Sequence, residues 1–547
     1  FRSRSDTEVV LLLLAREGEA GLSRLRGMFA LALFDPRAGS VLLARDRLGI
    51  KPLYLSTRRT DGGAVTVFAS EVRALLESGL VARRIDPVGL GSYLHNGFAV
   101  GPHTLIRDVT LLPAGTSVRV PLDGPPSPPK RFWRLPPHAS IDEADAVMQL
   151  ERALTDAVRL RLVSDVPLGI FLSGGIDSSA IASLAMRGRR ADDEPVTTFN
   201  IAFDEARYDE SPHARAVAEQ LGTKHHEVKL SQSSFRAGLG DALQSLDQPT
   251  FDAINTYFVS AAVREAGLTV ALAGTGGDEL FGGYSSFRDI PRALRAASAA
   301  RSVPAPLLRG AGQLVSRFKN GKPGAVPPQT RWGKLPDALV TGGDVMALYQ
   351  VSYGLFTSDF LENLASGNDG VRDGMPIARA GELEALVAGQ PDLHAISQLE
   401  LSLFLGERLL RDTDTASMAV SLEVRVPLID HEVVDALSHV PLARRFEPLQ
   451  TKQLLRELAM PQLDPVLFDR PKAGFELPLD VWIRDELKGA LNDTMNDRRL
   501  CAQLGLDGEA VARLLGAFLD DAPGLYWSRV WALYILLWWC REHDVHA

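Results

Sequence analysis

Hydrophobic positions follow two different patterns along this chain. In residues 1 to about 135, short apolar runs bounded by turn residues predict strands at residues 28–34, 41–44, 52–55 and 65–69. Helical spacing precedes these runs, with Ser5 or Asp6 as the cap, and it returns in residues 70–80. The first pattern therefore predicts an antiparallel sheet with helices packed on it.

The second pattern follows a proline-rich stretch, residues 123–131, which is typical of a semi-rigid spacer. After a predicted helix at 141–162, apolar strands alternate with helical segments. The strands are predicted at 166–172, 196–203, 228–230 and 268–273, and the helices at 212–221 and 235–246. This alternation predicts a parallel sheet with both faces covered and with ligands at the carboxyl ends of its strands.

Beyond residue 290 the pattern is mostly helical, and the apolar faces of residues 399–410 and 526–540 are typical of core packing. A chain of 547 residues is too long for a single core. We therefore predict an α/β protein with one domain at residues 1–135 and another at residues 140–547.

Composition narrows the classes of function. The net charge of −9, without a basic run, argues against nucleic-acid binding. Cys501 and Cys540 are the only cysteines, which excludes a disulfide framework and a cysteine zinc site and fits a cytoplasmic protein. No apolar segment reaches the ~18 residues of a membrane span, so no membrane partner is expected. The chain begins at Phe1, and we expect it to be a fragment whose true start is missing.

The most informative stretch joins the strand predicted at residues 166–172 to a helix. Its loop allows a tight turn and a close backbone approach to a ligand, and carboxylate and hydroxyl groups open the helix; the residues are Ser173, Gly174, Gly175, Asp177, Ser178 and Ser179. Because the lysine of a Walker A loop is missing, backbone N–H groups, hydroxyls and a metal on Asp177 would hold a polyphosphate. The structural alternative is an ordinary capped helix; the density of glycines and polar groups favours the binding site.

A second apolar strand, residues 268–273, also runs into glycines and an acidic pair. A dinucleotide-binding fingerprint is excluded because its last glycine would fall at Glu279. Asp177 and Asp278 each follow a predicted strand end, so the two could hold Mg²⁺ against phosphate oxygens. The alternative makes Asp278 and Glu279 a helix cap. Two such loops in one sheet favour the shared site.

Part of the first domain resembles a known family. Residues 5–9, 26–30 and 45–54 are similar to the second half of the glutaminase domain of glutamine-hydrolysing asparagine synthetases of the B type. The resemblance implies a truncated N-terminal-nucleophile sandwich, in which an N-terminal cysteine attacks glutamine. Only Asp6 matches a glutamine-binding residue of the family, and no cysteine precedes Cys501. We therefore predict that this chain does not hydrolyse glutamine, and that a native start with Met-Cys would restore that activity.

The second domain resembles the PP-loop, adenine nucleotide alpha hydrolase-like domain of the same family. The matching motifs are residues 173–178 and 276–284, supported by residues 421–430 and 469–475. The resemblance implies that Asp177 and Asp278 carry Mg²⁺ and that Lys472 meets the α-phosphate of ATP. It implies a nucleotide site of Leu172, Ser173, Gly174, Gly175, Asp177, Ser178, Ser179, Ile201 and Gly274.

Thr275 departs from this resemblance. The position is usually acidic in asparagine synthetases and is Tyr in the related β-lactam synthetases, so it follows the substrate handled. A neutral hydroxyl is a poor base. Either another residue, such as Glu279 or Glu423, takes that role, or the acceptor is not free aspartate. Thr275 and Lys472 are the predicted catalytic positions, whereas His225 and His226 are interpreted as structural.

The favoured function is ATP-dependent amide synthesis. Aspartate would attack the α-phosphate of Mg·ATP, giving a β-aspartyl-adenylate and pyrophosphate, and ammonia would displace AMP to give asparagine. One alternative adenylates a different carboxylate, such as a peptide, sugar or natural-product precursor; another is a catalytically lapsed regulatory homologue. The expected partners are ATP, Mg²⁺, the carboxylate and ammonia or glutamine, and a homodimer is left open.

Overall fold

A computed structural model describes residues 1–60, 63–189, 194–203, 205, 207–320, 326–365, 370–469 and 479–547. The elements of the N-terminal part are α1 (Asp6–Glu17), a 3₁₀ helix (Gly18–Arg24), β1 (Ala30–Asp35), β2 (Ser40–Arg45), β3 (Tyr54–Thr60), β4 (Gly63–Ala69), α2 (Val72–Glu77), α3 (Pro87–Asn96), β5 (Val109–Leu111), β6 (Thr116–Pro121) and β7 (Lys130–Arg131).

The N-terminal strands form two antiparallel sheets, ordered β1-β2-β6-β7 and β4-β3-β5. Leu43 and Val118 of the first sheet share one apolar cluster with Leu53 and Leu112, which flank strands of the second. Burying these side chains against each other stabilises the pair of sheets, because neither sheet covers its apolar face alone. The antiparallel prediction is confirmed, although the strands divide between two sheets. Ser5 is the cap of α1, since its hydroxyl accepts a hydrogen bond from the Thr7 N–H at 3.2 Å.

A five-stranded parallel sheet forms the centre of the second part. Its elements begin with α4 (Glu143–Arg161), β8 (Leu168–Phe171), α5 (Ile176–Arg187), β9 (Thr197–Phe203), α6 (Ser211–Leu221), β10 (Lys224–Leu230), α7 (Gln232–Gln244), α8 (Ala253–Glu265), β11 (Val270–Leu272) and α9 (Gly277–Phe281). The strand order is β10-β9-β8-β11, followed at the edge by β14, residues Glu423–Arg425, which the sequence pattern did not predict. The predicted parallel sheet is confirmed.

The remainder is almost entirely helical, as predicted. Its elements are α10 (Ser286–Ala299), α11 (Ala305–Asn320), α12 (Leu335–Leu339), α13 (Val345–Tyr353), α14 (Ser358–Leu364), β12 (Val371–Arg372), β13 (Met375–Pro376), α15 (Ile377–Val387), α16 (Asp392–Leu399), a π-helix (Glu400–Leu409), α17 (Leu410–Met418), β14, a 3₁₀ helix (Pro427–Ile429), α18 (His431–His439), α19 (Leu442–Phe446), α20 (Gln453–Ala459), a 3₁₀ helix (Pro465–Phe468), α21 (Leu479–Glu486), α22 (Lys488–Met495), α23 (Arg498–Gln503), α24 (Gly508–Leu519) and α25 (Trp527–Glu542).

The C-terminal helix α25 lies in the core that joins the two parts. Trp531 and Trp539 are fully buried in it, and the Tyr93 hydroxyl of α3 donates a hydrogen bond to the Ala532 carbonyl at 2.8 Å. This confirms the prediction that the aromatic face near the C-terminus is core packing. Among the described residues, no helix has both the length and the apolar character needed to cross a bilayer.

Candidate active site

The carboxyl ends of β8, β9 and β11 open into a cavity of about 680 Å³. This is the edge at which parallel sheets bind ligands. Both predicted loops reach it, since β8 and β11 are neighbours in the sheet. The predicted site residues that line the cavity are Leu172, Ser173, Gly174, Gly175, Asp177, Ser178, Ile201, Gly274, Thr275 and Asp278.

Three predicted site residues are not found in that lining. Ser179 is fully buried in the first turn of α5, on the side of the helix away from the cavity lining. Asp6 is exposed in the first turn of α1, in the N-terminal part. Lys472 lies outside the residues that the structure describes, so its role stays a prediction.

The first loop holds its own hydroxyl groups in place. Gly174 adopts a left-handed conformation with φ of 72°, and a side chain there would meet the backbone of His213 at 2.6 Å. The Ser178 hydroxyl donates to the Gly175 carbonyl at 3.2 Å and accepts from the Ser173 N–H at 3.2 Å. Gly175 then caps α5, so the first N–H groups of that helix are placed beside the cavity.

Glycines bring the second loop into direct contact with Asp177. A Cβ added to Gly277 would lie 2.2 Å from Asp177 Oδ1, and one added to Gly274 would lie 2.8 Å from the Asp177 carbonyl carbon. Gly276 has φ of 103°, and a Cβ there would lie 2.1 Å from Ile429 Cγ2. Only glycine permits this approach. The prediction that the two loops share one site therefore has a steric basis.

The two predicted metal ligands converge on a lysine that the sequence analysis missed. Lys452 Nζ lies 2.5 Å from Asp177 Oδ2 and 2.5 Å from Asp278 Oδ1. Lys452 precedes α20 with φ of 49°, a left-handed conformation that is uncommon outside glycine. The loop backbone is thus held in an unfavourable region while the side chain reaches both carboxylates. Because Lys452 and Asp177 are 275 residues apart, no local sequence pattern indicates that they are in contact.

The electrostatics of the pair suit a cation. Burial lowers the pKa of Lys452, but the Asp177 and Asp278 carboxylates outweigh it and hold the pKa above its ordinary value. Among the described residues, the Lys452 ammonium contributes one positive charge to the two converging carboxylates. Mg²⁺ is typically bound by one or two carboxylates together with substrate phosphates, so Asp177 and Asp278 fit its requirements. Among the described residues, no cluster of three or more His, Cys, Asp or Glu side chains forms an all-protein metal site.

One of the two carboxylates suggested as substitutes for an acid at position 275 lies in the cavity wall. Glu279 is buried there and accepts a hydrogen bond from the Tyr284 hydroxyl at 3.0 Å. Burial, followed by the neighbouring Asp278 charge, raises the pKa of Glu279 to about 8. Glu423 instead belongs to β14 and pairs with Arg425 at 2.6 Å, outside the cavity lining.

Phe404 and Tyr284 of the cavity lining belong to an aromatic cluster. Arg408 lies between two rings, 4.1 Å from the centre of Phe251 and 4.8 Å from the centre of Phe404. Its guanidinium also pairs with Asp252 at 2.6 Å, and Phe404 meets Tyr284 edge-on at 5.4 Å. Phe404 lies in the π-helix, an irregularity that frequently marks functional sites. Phe404 and Tyr284 therefore present aromatic surface to the cavity, whereas Arg408 packs on Phe404 outside the lining, with its charge paired to Asp252.

The remaining candidates for chemistry are placed away from the cavity. His225 Nδ1 is 2.9 Å from the Thr198 hydroxyl, and His226 stacks on Phe199 at 5.1 Å, which agrees with the structural interpretation. Both cysteines are buried, and burial raises the pKa of the Cys501 thiol to about 11. Neither thiol is suited to nucleophilic attack, because the thiolate is the reactive form.

Comparison with known proteins agrees with this arrangement. An asparagine synthase family model matches residues 149–541, which is most of the chain. The chain belongs to the asparagine synthase family. A glutamine amidotransferase domain model matches residues 1–133, so the family resemblance given by the sequence motifs is confirmed for both parts.

Individual relatives are similar over nearly the full chain at modest identity. A putative glutamine-hydrolysing asparagine synthetase of Mycobacterium tuberculosis is 30% identical over 100% of this chain and 81% of its own length. Glutamine-hydrolysing asparagine synthetase 1 of Bacillus subtilis is 28% identical over 98% of this chain and 81% of its length. The amidase chyE of Penicillium rubens is 27% identical over 88% of this chain and 74% of its length. Two of these relatives are therefore named asparagine synthetases, and the third is named an amidase.

Proposed function

We propose that this chain forms amides by ATP-dependent activation of a carboxylate. A carboxylate oxygen bonds to the α-phosphorus of ATP while the bond to the β-phosphate oxygen breaks, giving an acyl-adenylate and pyrophosphate. Ammonia then bonds to the acyl carbon, AMP leaves with the bridging oxygen, and the nitrogen loses a proton. The convergence of Asp177 and Asp278 in a cavity at the carboxyl edge of the sheet carries this proposal.

Some residues of this chain would bind ATP, and others would neutralise the charge that develops during the reaction. The backbone at the start of α5 would hold phosphate oxygens, with the Ser173 and Ser178 hydroxyls beside it. Leu172 and Ile201 would contact the adenine nucleotide. Magnesium held by Asp177 and Asp278 would neutralise charge on the departing pyrophosphate. Lys472 is proposed to meet the α-phosphate, where a positive charge stabilises the transition state more than bound ATP.

Aspartate is the first candidate for the carboxylate, because relatives similar over almost the whole chain are named asparagine synthetases. The ammonia-dependent activity of this chain would then be an asparagine synthase activity, in the cytoplasm, where its two free thiols stay reduced. In this chain the nitrogen donor would be free ammonia, since both thiols are buried.

A second candidate is a carboxylate other than aspartate. Thr275 provides no acidic group at the position where one is usual in the family, and the Phe404 and Tyr284 rings line the same cavity. The Arg408 charge is paired with Asp252 and stacked between rings, so it is poorly placed to bind a second carboxylate of the substrate. The relative named amidase chyE also carries a different name from the synthetases.

Pyrophosphate release in the presence of ammonia separates these candidates. The assay compares L-aspartate with a monocarboxylate of apolar body, 3-phenylpropionate, and with no carboxylate. Release that requires aspartate supports asparagine synthesis, and release that requires the apolar acid supports the second candidate. The Asp278→Asn variant gives the background of each assay. If the folded protein releases no pyrophosphate with either acid, the result would favour the lapsed homologue and contradict amide synthesis from these acids.

A further inference from the structure

Helix α11, residues Ala305–Asn320, presents its apolar side chains to solvent. Leu307, Leu314 and Phe318 are 64%, 69% and 86% exposed, and Val315 beside them is also exposed. Their spacings of seven and four residues place them on one face of a helix. We call Leu307, Leu314 and Phe318 the apolar stripe. Single exposed apolar residues are common, but a continuous stripe along one helix needs an explanation.

The stripe faces away from the rest of the protein. Gly312 is the buried residue of α11, and a Cβ there would meet Pro336 of α12 at 2.8 Å. At 100° per residue, Leu307, Leu314 and Phe318 lie roughly 120–160° around the helix from Gly312. The helix therefore packs with Gly312 inward and with Leu307, Leu314 and Phe318 outward, whereas an ordinary surface helix buries its large apolar residues.

The charge of α11 also differs from that of the whole chain. Its sequence contains Arg309, Arg317 and Lys319 and no Asp or Glu, whereas the chain has a net charge of −9. Lys319 Nζ lies 5.4 Å from the centre of the Trp332 ring, which places an aromatic group beside the last turn. Arg317 and Lys319 neighbour Phe318 in the last turn, and a helix with an apolar stripe, adjacent basic residues and no acidic residue matches the pattern of helices that lie at membrane surfaces.

We propose that α11 docks this protein on the surface of an anionic lipid bilayer. The apolar stripe would enter the boundary between headgroups and acyl chains, and Arg317 and Lys319 would meet lipid phosphates. The basic residues of α11 and its lack of Asp or Glu favour an anionic lipid surface over a protein partner. The proposal differs from the expectation of no membrane partner, which concerned a spanning segment.

Flotation with vesicles tests this proposal on the full chain. Vesicles of phosphatidylglycerol and phosphatidylcholine in equal parts are compared with pure phosphatidylcholine at low and high salt. We expect binding to the anionic vesicles that weakens with salt. The Leu314→Ser/Phe318→Ser variant should bind at least about tenfold more weakly, because it removes the side chains that leave water. The Arg317→Gln/Lys319→Gln variant should lose the preference for anionic vesicles.

Two controls make the outcomes decisive. Phe34→Ser removes another exposed ring, 55% exposed on β1, and should leave vesicle binding unchanged. ATP–pyrophosphate exchange without vesicles should be the same for the α11 variants and the unaltered chain, which separates docking from the proposed reaction. Absence of binding to anionic vesicles would overturn the proposal. So would equal binding by the Leu314→Ser/Phe318→Ser variant, or a self-association without lipid that this variant abolishes.

Discussion

Asp46 is a buried carboxylate and Asp177 is a half-buried one at the cavity wall, and the two are held by different kinds of partner. Asp46, in the N-terminal part, is 1% exposed and accepts backbone N–H hydrogen bonds from Phe29, Leu48, Ile50 and Lys51. Asp177 is held by the side chain of Lys452, which also reaches Asp278.

The difference distinguishes a structural charge from one available for chemistry. The partners of Asp46 are N–H groups of nearby residues, so its charge fixes the loop that follows β2. Burial raises the pKa of Asp46 although these hydrogen bonds oppose the shift. Asp177 pairs with the long side chain of Lys452 at a cavity wall, where a substrate or cation can replace that contact. A carboxylate at a cavity wall with a side-chain partner is thus the better candidate for catalysis.

The largest expected effect is the loss of ATP–pyrophosphate exchange when Asp177 or Asp278 is replaced. Asp177→Asn and Asp278→Asn should each abolish ATP–pyrophosphate exchange, because each removes one of two charges that would hold Mg²⁺. The fold should persist, since asparagine keeps an oxygen that accepts a hydrogen bond from Lys452. Glu423→Gln is the matched control, as that carboxylate lies outside the cavity lining. Near-normal exchange in either Asp variant would show that the two loops do not share a metal.

Lys472 should have the next largest effect. Loss of a preorganised donor to a developing charge typically costs ~10²–10³ in turnover, so Lys472→Ala should slow adenylation by that factor with a modest change in ATP affinity. Lys472→Arg should recover little, because a planar guanidinium does not replace a compact ammonium. Single-turnover formation of the adenylate measures the step. An ordinary rate in Lys472→Ala would indicate a surface lysine and remove this residue from the mechanism.

Asp46 should affect stability and leave the reaction of the folded protein unchanged. Asp46→Ala leaves four backbone N–H groups without their acceptor, so the free energy of unfolding of the N-terminal part should fall by about 3 kcal/mol or more. Hydrogen exchange of β1 and β2 reports this change, and Asp46→Asn should show a smaller one because an oxygen acceptor remains. If a folded Asp46→Ala protein no longer exchanged ATP and pyrophosphate, Asp46 would not have a purely structural role.

The smallest expected effect is the formation of glutamate from glutamine. With glutamine as the nitrogen source, this chain should form no more glutamate than heat-treated protein, because its two thiols are buried. Ammonia should support product formation in the same preparation. Steady glutamate formation from glutamine by the purified chain would show that another nucleophile acts in the N-terminal part.

Strand ends followed by glycines were predictable because an apolar run, a tight turn and a helix cap are all local signals. They located Asp177, Asp278 and Thr275 in the sequence, and the structure places all three in one cavity. Lys452 was missed because its contact with Asp177 spans 275 residues and depends on the packing of α20.

Other errors arose where a pattern allows more than one geometry. The apolar spacing of residues 399–410 predicts an ordinary helix, and it cannot reveal the π-helix that places Phe404 at the cavity. Ser179 shares its motif with the lining residues, but one helical step turns its hydroxyl into the core. The edge strand β14 is only three residues long, too short for a pattern of its own.

The close approach of the second loop to Asp177 and Ile429 also limits how this site can evolve. A side chain at Gly274, Gly276 or Gly277 would displace a neighbour and with it the carboxylate geometry. Thr275 is the position between these glycines that already carries a side chain. Under the proposed function, new specificity would be acquired there without displacing the carboxylates of the two loops, so relatives with the same loops would diverge in the acid they accept. A library that randomises residues 274–277 should return functional clones that differ mainly at Thr275.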